Sequence, residues 1–353
     1  MSKLHSINDI IAKAQKMRAS DIHIVCGIPI RVRIDGKLHD LDDNVMTHED
    51  CESYAKDLTT HYDDIAVIGE QDLAIGFPDG TRCRVNLFRQ QGYVSAAIRI
   101  LNNHIPAFEE LGLPAQIAQF TDFNQGIVLV TGETGSGKST TLACLLDKIN
   151  HTQGKHIITL EDPIEYIYTP DQCIINQREV GQDTRSFQDG LKSILREDPD
   201  VILVGEMRSL TTIETALIAA ETGHLVFATL HTNSAADTVD RIVDVFPAEQ
   251  QAQIRMQLSM CLQAVVCQQL LPHLSGRGRV LATEVMTATP AVRNLIREGK
   301  TPQISNAITI SAAEGNHLMD SSLIQLYKQR KISSDVAIKH AHDPDYVRRA
   351  TLF

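Results

Sequence analysis

The sequence predicts an α/β protein with a second, smaller α+β domain at its N-terminus. Four apolar runs of strand length, separated by segments with helical periodicity, indicate a parallel sheet covered by helices on both faces. They are GIVLVT, HIITLE, VILVGE and LVFATLH, at 126–131, 156–161, 201–206 and 225–231. The N-terminal part instead holds short alternating runs joined by turn residues, as in antiparallel hairpins. The length of 353 residues exceeds what one core usually supports, so two domains are expected.

The smaller domain is predicted over 1–101. Strands are expected in SDIHIV, IPIRVRI and KLHDL, with a tight turn at Asp35-Gly36. A helix is expected in THEDCESYAKDL, with Thr47 as its N-cap and Asp50 three positions on. Further strands of the same sheet are expected in QDLAIGF, TRCRVNLF and GYVSAAIRIL, and a turn is expected at 78–80. NNHIPAFEELGLP then predicts a linker over 102–116, which leaves 117–353 for the larger domain.

Composition and charge narrow the classes of protein. The formal net charge of −11 at pH 7 would repel polyanions, so nucleic acid is not expected as a partner. The seven cysteines form no C-x-x-C pair, which disfavours a zinc site and a disulfide framework and favours reduced core cysteines. No apolar stretch is long enough to span a bilayer, and the N-terminus lacks a signal-peptide pattern, so a cytoplasmic protein is expected.

The run GETGSGKST at 132–140 matches G-x-x-x-x-G-K-[ST] between a predicted strand and a predicted helix, which indicates a P-loop NTPase core. Its backbone N–H groups are expected to close around the phosphates of ATP. Lys138 is expected to reach the β and γ oxygens, and Ser139 to offer its hydroxyl to Mg²⁺. A glycine-rich turn is the alternative interpretation. The predicted nucleotide-binding residues are Gly132, Thr134, Gly135, Ser136, Gly137, Lys138, Ser139 and Thr140.

A P-loop enzyme needs a carboxylate near the metal ion and the attacking water. In this sequence, the usual position of that carboxylate holds a different residue. The carboxylate is usually an Asp at the carboxyl end of a neighbouring strand, where this sequence has Gly205 followed by Glu206. Asp198 and Asp200 precede the strand, and since roughly five or six extended residues cover about 17–20 Å, both are expected at the wrong end of the sheet. Glu206 is therefore the candidate that orients or deprotonates the attacking water, with a helix-capping or ion-paired Glu as the alternative.

A second pair of carboxylates follows another predicted strand. Glu161 and Asp162 precede Pro163, which stops the strand and fixes the turn. Both carboxylates are expected to face the phosphate side. Glu161 is predicted to bind Mg²⁺ or its waters and to supply the charge that Gly205 lacks. Asp162 either takes part as well or only caps the turn.

Together these motifs resemble those of the secretion and pilus motor ATPases, and most closely the PilT family of type IV pilus retraction ATPases. The matching runs are ASDIHI, GETGSGKST (the phosphate loop, 132–140), LEDPIEYIY, LREDPDVILVGEMR, ETGHLVFATLHTNSA and AVRNLIREGK, the last at 291–300. AVRNLIREGK resembles the AIRNLIRE signature of retraction ATPases, with Val292 in place of Ile. Assembly and secretion ATPases typically carry an additional N-terminal domain and a tetracysteine zinc module. Neither is found in this sequence, so no zinc is expected.

The resemblance implies a homohexamer in which a PAS-like N-terminal domain and a RecA-like C-terminal domain clamp ATP. Rotation between the domains, with the linker as hinge, would drive a pilus platform protein of the inner membrane. A cytoplasmic protein that associates peripherally with that membrane is therefore implied. Arg82, Arg84 and Arg99 are predicted to include an arginine finger that acts in trans, with a solvated basic face as the alternative. Leu295, on a predicted amphipathic helix, is predicted to serve retraction or partner coupling, with packing as the alternative.

The two histidines at the ends of the last apolar run, His224 and His231, are predicted to have separate roles. If LVFATL is an extended strand, their Cα atoms are about 23 Å apart, which is too far to share a metal. His231, at the carboxyl end, is predicted to sense the γ-phosphate or to donate a hydrogen bond to it. His224, at the opposite end, is predicted to serve the family's motor function through packing or subunit contact.

The sequence is thus interpreted as a hexameric motor ATPase for pilus retraction and twitching motility. A type IV pilus assembly ATPase or a type II/IV secretion ATPase is the main alternative within the superfamily. A nucleic-acid helicase or translocase shares the RecA-like core, but no basic–aromatic binding stretch is evident. A small-molecule kinase would leave the N-terminal domain and ETGHLVFATLHTNSA without a purpose. A non-enzymatic nucleotide-binding scaffold would hydrolyse no ATP.

Overall fold

The chain divides into two compact units in the computed structural model, which describes residues 6–34, 36–77, 81–101 and 104–352. The first unit holds the chain up to His104 together with Pro163–Ile167, and the second holds Ile105–Asp162 and the chain from Tyr168 onward. The division falls within the predicted linker 102–116. The first two residues of that linker lie outside the described ranges, as do Asp35 and the turn predicted at 78–80. That 1–101 and 117–353 are separate domains stays a prediction.

The first unit is built on an antiparallel sheet in the order β3-β2-β1-β6-β5-β4. Buried residues alternate with more exposed ones along β1, β2 and β5, as expected of a sheet with one face on the core. The elements are α1 Ile7–Lys16, β1 Asp21–Ile24, β2 Pro29–Ile34, β3 Lys37–Val45, α2 His48–Leu58, α3 Tyr62–Ile68, β4 Glu70–Gly76, β5 Arg82–Gln90 and β6 Tyr93–Leu101.

Helix α2 begins as its sequence predicts. Thr47 Oγ1 accepts a hydrogen bond from the backbone N–H of Asp50 at 3.1 Å, and Asp50 Oδ2 accepts one from the N–H of Thr47 at 3.0 Å. This reciprocal pair satisfies two N–H groups that have no partner inside the helix. Helix α3 is not predicted from the sequence, because its seven residues are too few to show a helical period.

The second unit contains a larger sheet in the order β13-β12-β7-β11-β10-β8-β9. Neighbouring strands from β12 to β9 pair in parallel, and β13 pairs antiparallel with β12. The elements are β7 Gly126–Thr131, α4 Lys138–Thr152, β8 His156–Glu161, β9 Ile174–Glu179, α5 Phe187–Ile194, β10 Val201–Val204, α6 Leu210–Glu221, β11 Leu225–Leu230, α7 Ala235–Asp244, α8 Ala248–Cys261, β12 Leu262–Pro272, β13 Arg279–Thr287, α9 Pro290–Arg297, α10 Ile304–Ile310, α11 Met319–Lys328, α12 Ser334–Lys339 and α13 Pro344–Thr351. Short 3₁₀ helices lie at Phe108–Leu111, Ala115–Asp122, Thr301–Gln303 and Ala312–Glu314.

Three central strands of this sheet are buried along their whole length. Every residue of β7, β10 and β11 is buried, and since successive side chains point to opposite faces, both faces of the sheet are covered. This confirms the predicted parallel sheet. Strand β11 lies between β7 and β10, an order that the sequence alone does not give.

Two further predictions concern cysteines and membrane spans. All seven cysteines are free, and six of them are buried, as expected for reduced core residues. No helix in the described part of the chain combines the length and the hydropathy that crossing a bilayer requires.

Candidate nucleotide site

The loop between β7 and α4 has the backbone of a phosphate-binding loop. Gly135 and Gly137 have φ angles of 81° and 94°, which residues with a side chain rarely adopt. A Cβ atom at Gly132 would lie 2.6 Å from Ser136 Oγ and would also meet the carbonyl oxygen of Gln268. The loop therefore requires glycine at these positions, and its backbone N–H groups are free of side chains that would keep an anion away.

Lys138 opens α4 and is 9% exposed. Its Nζ donates to the carbonyl oxygens of Gly132 and Glu133, at 2.8 and 2.9 Å, so the ammonium group lies against the loop. Ser139 and Thr140 follow in the first turn and are half-buried. The N-terminus of α4 favours anions through its free N–H groups. The segment thus gathers a cation, hydroxyls and N–H groups at one end of the sheet.

Gly205, which stands where a P-loop enzyme usually has Asp, lies against strand β8. A Cβ atom at Gly205 would lie 3.1 Å from the carbonyl oxygen of Leu160 and 3.2 Å from Glu161 Cα. These distances are shorter than optimal carbon contacts, so an Asp would require a shift of the backbone. The nearby carboxylate belongs to Glu161, whose Oε1 accepts a hydrogen bond from Thr159 Oγ1 at 2.7 Å. That bond orients the Glu161 side chain.

Glu206 and His231 meet at the carboxyl ends of β10 and β11. His231 Nε2 lies 3.1 Å from Glu206 Oε1, with side chains that are 41% and 22% exposed. Arg208 Nε donates to the same oxygen of Glu206. This hydrogen bond and the charge of Glu206 raise the pKa of Arg208, and the nearby carboxylate of Asp162 adds to the effect. Sequence reasoning misses Arg208, and the signal that could have found it is its place two residues after Glu206.

The two aspartates that precede β10 lie at the opposite edge of the sheet. Asp200 Oδ2 accepts a hydrogen bond from the backbone N–H of His156 at 2.8 Å, and the carbonyl oxygen of Asp198 accepts one from His156 Nδ1 at 2.9 Å. His156 is the first residue of β8. The structure therefore places both aspartates away from the phosphate loop, as the sequence predicts.

His224 lies at the start of β11 and contacts the end of α6. Its Nδ1 donates to the carbonyl oxygen of Ala219 at 3.0 Å, and its own carbonyl oxygen accepts from the N–H of Gly126 at 3.0 Å. These contacts cap the C-terminal turn of α6 and join it to the first residue of β7. His224 and His231 therefore flank β11 at opposite ends, and His224 makes packing contacts.

The three candidate arginines share one face of the first unit. Arg84 lies directly opposite Arg99 across β5 and β6, and Arg82 lies two residues from Arg84 on the same side of the strand. Arg99 Nε donates to Asp21 Oδ1 at 2.9 Å. Burial alone would raise the pKa of Asp21, but hydrogen bonds from Ser20 and Arg99 outweigh burial and lower it. Arg99 is thus held by a carboxylate of β1.

Leu295 lies half-buried on α9 and packs against the core of the second unit. Two residues before Leu295, Arg293 Nη1 donates to the carbonyl oxygens of Ser259 and Met260, each at 2.9 Å, and Nη2 donates to Gln263 Oε1 at 3.1 Å. Arg293 therefore caps the last turn of α8. Sequence reasoning misses this role, because the contact joins segments that are distant in the sequence.

A cavity of about 390 Å³ adjoins the phosphate loop. Its walls are the loop at 133–136, Asn233, the end of β12 at 268–270, and the segment 339–342. A volume in the range of about 300–1,000 Å³ is typical of small-molecule sites. Sequence reasoning misses 339–342, since no motif marks this segment.

No group of three or more His, Cys, Asp or Glu side chains in the described ranges could hold a metal ion. Mg²⁺ bound with a nucleotide takes most of its ligands from phosphate oxygens and water and needs only one or two protein groups. The half-buried hydroxyl of Ser139 and the oriented carboxylate of Glu161 are groups of this kind. The residues present therefore fit a Mg²⁺ ion that arrives with a nucleotide.

Comparisons with known proteins give one family model and several relatives to which this chain is similar. The family model described as type II/IV secretion system protein matches residues 2–350. A relative from Pseudomonas aeruginosa, named type IV pilus retractation ATPase PilT, is 45% identical over 96% of this chain and 99% of its own length. A relative from Neisseria gonorrhoeae, named twitching motility protein, is 49% identical over 78% of this chain and 74% of its own length. A crystal structure titled as the pilus retraction motor PilT with bound ADP superposes with a TM-score of 0.92, at 47% identity, over 98% of this chain and 99% of that chain.

Proposed function

The chain belongs to the type II/IV secretion system protein family and, as its motifs predict, to the PilT family within it, and we propose that it is a motor ATPase that hydrolyses ATP to power the retraction of type IV pili. The observation that carries the proposal is the meeting of Glu206 and His231 at the sheet edge that also holds the phosphate loop. The full-length similarity to a relative named as a pilus retraction ATPase supports the choice of retraction.

The second unit binds ATP through the loop 132–140. The backbone N–H groups of the loop and the N-terminus of α4 receive the phosphates. Lys138 exchanges its two carbonyl acceptors for the β and γ oxygens, which is a short movement for a flexible ammonium group. The relative whose title names bound ADP supports this use of the loop.

Hydrolysis depends on the carboxylates and the histidine at the same edge. Glu206 orients the attacking water and receives its proton, as a general base at a γ-phosphate does. His231, 3.1 Å from that carboxylate, donates to the γ-phosphate and so links the presence of ATP to the position of Glu206. Mg²⁺, held by Ser139 and Glu161, would neutralise charge on the β and γ oxygens.

The motor is proposed to work as a homohexamer. Arg82, Arg84 or Arg99 of a neighbouring copy would spread the charge of the transferred phosphate. Binding and release of nucleotide would change the angle between domains and move a pilus platform protein. The motor is accordingly proposed to act in the cytoplasm, at the inner face of the cytoplasmic membrane.

Deletion of the gene tests whether the motor retracts pili, assembles them or serves protein secretion. The proposal predicts cells with surplus pili that do not shorten, restored to wild type by a plasmid copy of the gene. Loss of pili after deletion would instead indicate an assembly ATPase, and normal pili with defective protein export would indicate a secretion ATPase. Either result would overturn the retraction proposal.

A further inference from the structure

The cavity beside the phosphate loop contains buried polar atoms that have no partner in the described residues. Ser136 is 5% exposed and Gln268 is 1% exposed, yet neither Ser136 Oγ nor Gln268 Oε1 has a hydrogen-bond partner there. Both residues line the cavity. Buried polar groups are nearly always hydrogen-bonded, so this wall of the cavity suits water or a polar ligand.

The strand order indicates which part of a nucleotide would lie in this cavity. Strand β7, which leads into the phosphate loop, has β11 on one side and β12 on the other. Glu206 and His231 follow β10 and β11, so the γ-phosphate end of the nucleotide belongs on that side. The cavity wall formed by 268–270 lies at the end of β12. The nucleoside therefore extends toward β12 and into the cavity.

His340 is one of the residues that line this cavity, and its ring can accept a hydrogen bond. Its Nδ1 lies 3.0 Å from Gln269 Oε1, and because a carbonyl oxygen only accepts, Nδ1 carries the proton. Burial and the charge of Lys339 lower the pKa of His340, and the carboxylate of Glu133 opposes them, so the ring is neutral near pH 7. In a neutral imidazole with the proton on Nδ1, Nε2 is an acceptor.

The segment that carries His340 is held by a buried carboxylate. Asp320, on α11, is 8% exposed. Its Oδ1 accepts from the backbone N–H of His342 at 2.7 Å, and its Oδ2 accepts from the N–H of Asp343 at 2.9 Å. Hydrogen bonds to a charged group are stronger than neutral ones, so they fix the backbone two residues beyond His340.

Resting on the proposed binding of ATP, we propose that the adenine base occupies this cavity and that its amino group donates to His340 Nε2. Adenine carries a hydrogen-bond donor at its sixth ring position, whereas guanine carries an acceptor there. A hydrogen-bond acceptor on the protein therefore binds the amino group of adenine and repels the carbonyl oxygen of guanine. His340 is thus a residue that sets the preference for adenine over guanine nucleotides.

Equilibrium binding of ADP, GDP and purine riboside diphosphate, which lacks the amino group, tests the proposal without any need for turnover. For the wild-type chain we expect ADP to bind about three- to tenfold more tightly than either competitor, which is the size of one neutral hydrogen bond. His340→Ala should bind ADP and GDP about equally, since the acceptor is gone. His151→Ala, which changes an exposed histidine at the end of α4, should keep the wild-type preference.

Two results would overturn the inference. One is an unchanged ratio of ADP to GDP affinity in a folded His340→Ala variant. The other, which needs no variant, is equal affinity of the wild-type chain for ADP and purine riboside diphosphate. A wild-type chain that prefers ADP but hydrolyses no ATP would overturn the proposed function and leave the base site standing.

Discussion

His231 Nε2 lies 3.1 Å from Glu206 Oε1, although the two residues follow different strands. The contact arises because β10 and β11 pair in parallel, with Val204 opposite Ala228, so that their carboxyl ends meet at one edge. Arg208 donates to the same carboxylate oxygen. A phosphate that enters this edge would therefore meet a histidine and an arginine that both contact the proposed base.

The first prediction concerns the carboxylate supplied by Glu161. Glu161→Ala should lower the rate of ATP hydrolysis and weaken its dependence on Mg²⁺, by about ten- to 100-fold as for groups that position a metal. Adding Gly205→Asp should not restore the rate, because its Cβ would lie 3.1 Å from the carbonyl oxygen of Leu160. Asp162→Asn is the matched control and should have the smaller effect. Steady-state ATPase assays across Mg²⁺ concentrations decide, and full activity of Glu161→Ala would refute the assignment.

The second prediction separates the two histidines that flank β11. His231→Ala should reduce the ratio of ATP to ADP affinity, because it removes a group proposed to contact the γ-phosphate. His224→Ala should leave that ratio unchanged and lower the free energy of unfolding by about 1 kcal/mol, since it loses its bond to Ala219. Nucleotide titrations and thermal unfolding measure both. The split is wrong if the two variants change the affinity ratio alike.

The third prediction concerns the arginines of the first unit. If one of them is the finger in trans, Arg82→Ala, Arg84→Ala or Arg99→Ala should lower turnover by about 10³-fold or more without dispersing the oligomer. Arg31→Ala is the matched control, because Arg31 also forms a 2.9 Å ion pair, with Asp40, on the same sheet. Sizing chromatography and ATPase assays report both properties. Near wild-type turnover in all three variants would exclude a finger among them.

The fourth prediction concerns Leu295 on α9. If Leu295 couples hydrolysis to the movement of the partner, Leu295→Ala should leave the rate of ATP hydrolysis within about twofold of wild type and abolish pilus retraction. Val292→Ala, which changes a fully buried residue of the same helix, should cost more stability, about 1–2 kcal/mol, and leave retraction intact. ATPase rates, unfolding curves and twitching assays are compared for the two variants. A parallel loss of ATPase and retraction in Leu295→Ala would instead indicate packing.

Local patterns predict much of this fold because their causes are local. The buried strands β7, β10 and β11 follow from apolar runs, and the start of α2 follows from Thr47 and Asp50. The order of strands and the contact of Glu206 with His231 depend on how distant segments pair. So do the bonds of Arg293 to Ser259 and Met260, which no periodicity encodes.

The candidate site divides in the same way. The phosphate loop can be predicted from the sequence because its chemistry requires glycines, a lysine and a hydroxyl at fixed spacing. The cavity wall at 339–342 is not, since it carries no spacing rule and reaches the loop only through tertiary packing. Arg208 is an intermediate case. A motif predicts Glu206, which lies two residues before it, but does not predict the hydrogen bond that Arg208 donates to Glu206.

The most direct test of the central claim is the rate at which labelled pili shorten in cells of the source organism whose chromosomal gene carries Glu206→Gln. Glutamine keeps the size of the side chain but cannot take a proton, so we expect shortening to slow by at least about 100-fold. The purified variant should still bind ADP as the wild type does, which controls for folding. Pili that shorten at the wild-type rate in this strain would contradict the claim that hydrolysis through Glu206 powers retraction.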